Sequence, residues 1–224
     1  MGEKMGFDRP MSIKLNSAEE LFQLFMNKDK LKDYMYMDLS GGMPSNEDFC
    51  LDIPYEEIKE VVEKERDNYL DKLDEPEKSQ VKWEHVGSTS IKGMPGMLMP
   101  DALLIIPEFP PTKKMIQGFL DNGYYFGRTS LLDSQDLWFF RRFQDGFLKD
   151  KMISVHVVPV DNPAGKILLE MRDTCRTEQW AFDDYKNAKI SANKSSSDFL
   201  GYKMGKGKNS KLLDMLRAKH QGGF

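Results

Sequence analysis

Apolar residues recur at helical spacing toward both ends of the chain and at strand spacing in its middle. Residues up to about 16 have no periodicity and read as a loose arm. Ser17 then suits a helix N-cap, ahead of Leu21, Phe22, Leu24 and Phe25. From Pro54, which fits a first helical turn, Ile58, Val61, Val62, Tyr69, Leu70 and Leu73 return every three or four residues, as a helix with one buried face requires. Between these helices, Leu39 to Asp48 combines Gly41, Gly42, Pro44 and Ser45 and is expected to be a loop. The period then shortens. Val81 to Val86 alternates, Ala102 to Ile106 is continuously apolar, Ile153 to Val158 alternates again, and Leu137 to Phe140 supplies another strand. Thr112 to Asn122, closed by Gly123, is a helix set among them. Beyond Asn162-Pro163 the spacing is helical once more, through Ile167, Leu168 and Met171, then Trp180, Phe182 and Tyr185, and finally Leu212, Leu213 and Leu216.

Interleaved strands and helices with helical ends give an α+β class. A chain of 224 residues can bury a sizeable core, and without an internal repeat or a break in composition it is expected to form one unit. With 40% hydrophobic residues it is too apolar to be disordered. No apolar run approaches the ~20 residues that cross a bilayer, and the N-terminal MGEKMGFDRPMSIK lacks a signal peptide's apolar stretch, so an intracellular, cytoplasmic protein with no membrane partner is expected. Cys50 and Cys175 have neither a zinc-ligand spacing nor a disulfide framework. A net charge of -4 argues against a nucleic-acid surface. One basic cluster remains: four lysines from Lys203 to Lys211, interleaved with Gly205 and Gly207, read either as a loop that holds a phosphate or as a solvated turn.

The most informative stretch is Glu84-His85-Val86-Gly87-Ser88-Thr89-Ser90, continuing through Gly93 to Asp101 at the head of the apolar strand. A strand that ends in Gly-Ser and turns tightly brings backbone N–H groups and hydroxyls close to phosphate oxygens. A carboxylate opening the next strand can offer oxygen to a metal ion that neutralises those phosphates. Asp101 holds that place. Arg141 and Arg142 follow the aromatic Trp138-Phe139-Phe140, and strand alternation turns one of them inward to grip a phosphate or carboxylate. The methionines around Met94, Met97 and Met99 read as adaptable packing.

The string Glu-His-Val-Gly-Ser-Thr-Ser-Ile, with Gly93 and Asp101 at this spacing, resembles the signature of the GrpB-like family of the nucleotidyltransferase superfamily. The resemblance runs from about residue 52 to 218 and takes in the helix from Tyr55, the strand Ser154 to Val158 centred on His156, Met171-Arg172-Asp173, Tyr185 with Lys189, and Gly207-Lys208. Residues 1–50 have no counterpart and read as an N-terminal extension, leaving 51–224 as the family domain. The resemblance implies a nucleotidyltransferase-like mixed sheet flanked by helices. It implies catalytic roles for Asp101, Glu84 and His156, with Asp101 holding Mg2+ or Mn2+, and a cleft position for His85. With the alternation reading of Arg141 and Arg142, the expected phosphate-binding residues are Gly87, Ser88, Thr89, Ser90, Arg141, Arg142 and Lys208. A pKa near neutrality would suit His85 and His156 to proton transfer.

Three departures bear on the chemistry. Met97 stands where the family usually has Lys, and Lys92 where it has Pro, so a positive charge is lost or supplied from elsewhere. The superfamily also places two carboxylates two residues apart on one strand face, whereas Asp101 is followed by Leu103. A second metal ligand would then come from Glu84 or His156. Three functions follow: metal-dependent transfer of a nucleotidyl group from an NTP to an acceptor, noncatalytic binding of a nucleotide or other anionic small molecule, and an interaction protein with a residual cleft.

Overall fold

The structure, a computed structural model, describes residues 12–36, 48–129 and 135–221. In chain order it comprises α1 (Ala18–Met26), α2 (Lys28–Asp33), β1 (Phe49–Cys50), α3 (Tyr55–Leu70), α4 (Glu75–Lys78), β2 (Lys82–Val86), a 3-10 turn at Ser88–Ser90, β3 (Gly96–Met97), β4 (Asp101–Ile106), α5 (Lys113–Asp121), β5 (Tyr125–Thr129), β6 (Leu137–Arg142), β7 (Met152–Pro159), α6 (Pro163–Thr177), α7 (Gln179–Ser195), α8 (Phe199–Lys208) and α9 (Lys211–Gln221). Among the described residues no helix is long and apolar enough to cross a membrane.

Local chemistry sets the helix starts. Ser17 accepts from the Glu20 amide at 3.2 Å to open α1, Thr112 accepts from the Met115 amide to open α5, and Asn162 accepts from the Ala164 amide at 2.9 Å to open α6. Pro54 stands just outside α3, as its N-cap. The residues ahead of α1 that are described are pinned, not loose: the Ser12 amide donates to the Met35 carbonyl at 2.8 Å, and Lys14 Nζ lies 3.7 Å from the Tyr125 ring centroid. Except for Asp48, which pairs with Lys151, the expected loop from Leu39 falls largely outside the described residues.

The main sheet has the order β2-β4-β7-β6-β5, with β4 and β7 parallel and every other pair antiparallel; β1 and β3 form a separate two-stranded ribbon. The mixed sheet expected from the sequence is present, with one strand more than the apolar pattern marks. β5 escapes that pattern because its alternation breaks at a bulge between Phe126 and Arg128. Gly127 fills the break, and a Cβ there would fall 2.4 Å from the Trp138 ring.

Directly paired residues share a face of the sheet. Ala102, Leu104, Val155 and Phe139 therefore point together into the main core, where α1, α2, α3 and α5 add Leu21, Phe25, Leu31, Ile58, Val62 and Phe119. Phe119 stacks on Phe139 with centroids 4.3 Å apart. The opposite face carries Glu84 and Val86, Asp101 and Leu103, Ser154 and His156, and Trp138. Helix α6 covers its β2–β4 side through Leu168 and Leu169, and Gly165 lets that helix approach β7, since a Cβ there would meet Val158 at 2.9 Å. Helices α6, α7 and α9 share a second core of Met171, Tyr185, Leu212 and Leu213.

The segment from Lys203 with Gly205 and Gly207 is helical, which corrects the expectation of a loop or turn. A Cβ on Gly205 would lie 3.1 Å from Ala192 Cβ, so this glycine is the gap through which α8 packs on α7. The turn expected at Gly207-Lys208 is likewise the last turn of α8, with Lys208 exposed.

Candidate functional site

The strand β2 delivers the signature turn to the foot of β4. Gly87 takes φ 70°, a left-handed conformation open to glycine, and a Cβ on it would fall 2.5 Å from Asp101 Oδ2. The turn thus rests directly on the Asp101 carboxylate, and the two features singled out in the sequence meet in space.

Two of the three hydroxyls are committed to the turn itself. Ser90 Oγ donates to the Gly87 carbonyl at 2.7 Å, and Thr89 Oγ1 lies 3.0 Å from His85 Nε2. Ser88 Oγ makes no hydrogen bond among the described residues and faces Gly96, 2.9 Å from where a Cβ there would sit. Helix α6 clamps the turn from outside. Arg176 donates to the Ser90 carbonyl through Nε at 3.1 Å and Nη2 at 2.7 Å, while Arg172 Nη1 donates to the His85 carbonyl at 3.0 Å and to Glu84 Oε2 at 2.7 Å. Glu84 is held in addition by Lys82 at 2.7 Å. Burial opposes its charge, but Lys82 and Arg172 outweigh that and keep the carboxyl below its usual range.

The same point above Gly96 is reached by Lys189 Nζ, at 2.8 Å from the would-be Cβ, so α7 brings an ammonium beside Ser88. Lys189 is 1% exposed and donates to Tyr202 Oη at 3.0 Å. Among the described residues it has no carboxylate partner within ion-pair distance. Burial first, then Lys206, push its pKa well down, with Asp101 opposing. Lys203, half-buried on α8, is brought to about 8 by burial and by Lys206, with Asp101 again opposing and Arg128 adding to the depression. Lys203 Nζ lies 6.0 Å from the Trp138 ring centroid. Lys189 and Lys206 both lie against the Tyr202 ring, Lys203 and Arg128 both neighbour Trp138, and Lys189 and Lys203 are the two of these four that feel Asp101.

His156 reaches the same face. Its Nδ1 is 2.9 Å from Asp136 Oδ1, with Asp136 buried at the entry to β6. Burial disfavours the imidazolium, but Asp136 and then Asp101 overcome this and raise the pKa above its ordinary value. His85 goes the other way: burial, then Arg176 and Arg172, bring it to about 4, so it is a neutral hydrogen-bonding partner of Thr89 and not a group poised near neutrality.

Pairing with Met152 puts Arg142 on the Asp101 face of the sheet. Arg141 points to the other face of the sheet, where Nε donates to Glu65 Oε2 at 3.0 Å, Nη2 pairs with Glu65 Oε1, and Tyr124 Oη donates to Glu65 Oε2 at 2.7 Å. Arg142 donates to the Asp150 carbonyl at 2.9 Å. The sequence pattern singles out neither Asp136 nor Arg128, and it places Lys203 in a basic segment expected to be a phosphate-holding loop or a solvated turn. Asp136 was readable in principle, since strand alternation from Trp138 puts it on the His156 face; Arg128 was hidden by the bulge, and Lys203 by the misread helix.

A model of the GrpB protein family matches residues 53–214. The chain belongs to the GrpB family. It is also similar to the crystal structure of conserved protein GrpB from Enterococcus faecalis, with a TM-score of 0.58 and 21% identity over 77% of this chain and 99% of that one. At that identity the likeness establishes the shared fold. No curated protein matches the chain. Ahead of the family match, α1 and α2 pack into the main core alongside α5, and β1 pairs with β3.

Proposed function

We propose that the Asp101 face of the sheet is a noncatalytic binding site for a phosphate-bearing small molecule, a nucleotide or another anion of that kind. The observation that supports it most is the convergence of Lys189, Lys203, Lys206 and Arg128 with the unbonded Ser88 hydroxyl around one patch of sheet. Amines brought together at the cost of their own protonation are stabilised by an incoming anion, and charge-assisted bonds to phosphate oxygens are the strong kind. Asp136 and His156 border the patch and give a further donor when the imidazole is protonated.

Metal-dependent nucleotidyl transfer is favoured by one observation, the contact between the Gly87 turn and Asp101. The donor set does not fit Mg2+ or Mn2+, however. Leu103 occupies the second carboxylate position, Glu84 is tied to Arg172 and Lys82, and Asp136 to His156. Among the described residues no group of three His, Cys, Asp or Glu side chains could hold a metal ion.

The test is a thermal-stability titration with inorganic phosphate, pyrophosphate and ATP, because a ligand of the native state raises the melting temperature. Saturable stabilisation by pyrophosphate or ATP, weakened at least tenfold by Lys203→Met, is expected. Absence of stabilisation by all three would remove the proposal.

A further inference from the structure

Resting on that reading, we infer that Lys189 supplies the positive charge that a divalent metal would otherwise bring to Asp101, so that the site takes phosphate anions in their metal-free form. Lysine is seldom fully buried unless an acid pairs with it. Lys189 is 1% exposed, yet its one hydrogen bond among the described residues goes to a neutral phenol, Tyr202. The Asp101 carboxylate makes no hydrogen bond or ion pair among the described residues either. The amine and the carboxylate thus share one site without bonding to each other, and the amine stands beside the Ser88 hydroxyl at the turn where phosphate oxygens would lie and favour its protonated form.

The surroundings hold the ammonium in place. Tyr185 and Tyr202 present their rings 5.3 Å and 5.6 Å from Nζ, and Gly96 leaves the space it occupies. Met97, next to Gly96, is buried against Ala192 and Tyr202, so an amine at this spot comes from α7 and not from β3. A metal-bound phosphate brings a cation to a patch already rich in cations, whereas a metal-free phosphate brings the missing negative charge. Tyr202 accepts from the Lys189 ammonium, which leaves its other two N–H groups to donate to phosphate oxygens.

The experiment is calorimetric titration of the full chain with inorganic pyrophosphate in EDTA and in excess Mg2+, for the natural protein and for Lys189→Met. Metal-free pyrophosphate is expected to bind at least tenfold more tightly than it does in excess Mg2+. Lys189→Met is expected to weaken metal-free binding at least tenfold while melting no lower than the natural protein, because it replaces a buried amine that has one hydrogen bond with an apolar side chain of similar length. Binding that requires Mg2+ would overturn this inference and leave the anion site standing. Unchanged metal-free affinity in Lys189→Met would overturn it too. If pyrophosphate fails to bind under either condition, the anion site falls and this inference with it.

Discussion

Gly87 lies so close to Asp101 that a single methyl group cannot be placed between them: a Cβ on the glycine would sit 2.5 Å from Oδ2. The contact fixes where the turn ends and where the carboxylate points, and φ of 70° adds a conformational penalty for any other residue. Gly87→Ala is expected to cost at least about 2 kcal/mol, a drop of roughly 4–8 °C in melting temperature for a chain of this size. It should abolish the pyrophosphate response at temperatures where the fold persists. Melting within a degree of the natural protein would show that the turn relaxes freely.

The pair Glu65–Arg141 serves stability on the face away from the site. Arg141→Leu leaves the buried Glu65 carboxylate with Tyr124 alone, and an orphaned buried charge costs about 3–5 kcal/mol. Urea unfolding should show that loss. The double variant Glu65→Gln with Arg141→Met keeps a partner for Tyr124 and is expected to recover most of it. A small loss in the single variant would mean that water reaches the pair.

His85 gives the fold an acid limit. Its folded pKa, about 4, lies below the ordinary 6.5, so between these values the unfolded chain binds the extra proton and stability falls as the pH is lowered. The full effect is on the order of 3 kcal/mol. His85→Gln keeps a partner for Thr89 and should flatten the dependence of urea-unfolding stability on pH between 4 and 6.5. An unchanged slope would place the acid sensitivity elsewhere.

Anion affinity should fall at high pH. Lys203 loses its proton at about 8 in the free protein, and a bound phosphate favours the charged amine, so binding takes up a proton above that pH and weakens as pH rises. The decline approaches tenfold per pH unit for one such group, between about 8 and the higher pKa of the complex. Lys203→Arg, charged throughout, is expected to remove most of this slope in pyrophosphate titrations from pH 7 to 10. A slope identical in both proteins would assign it to the ligand's own ionisation.

Much of this architecture is legible in the sequence. The capping Ser17, the helix from Pro54, four of the main strands and the meeting of the Gly87 turn with Asp101 all follow from period, caps and the family string. What stayed hidden depends on packing across long sequence distances. Gly205 looks like a turn former until α7 is seen to need its missing side chain, and the bulge at Gly127 erases the alternation that would have exposed Arg128. Alternation separates Arg141 from Arg142 but does not show which partner each meets, because Glu65, which takes Arg141, lies on a helix far back in the chain. Lys189 entered only as part of a resemblance; its burial without an acid partner is a property of the folded surface.

The most direct measurement of the central claim is calorimetry of inorganic pyrophosphate against the full chain at pH 7, repeated with the double variant Lys203→Met and Lys206→Met. The account predicts one saturable site in the natural protein, competed by ATP, and at least a hundredfold loss in the variant with its melting temperature maintained. Equal binding by both proteins, or none by the natural one, would contradict it.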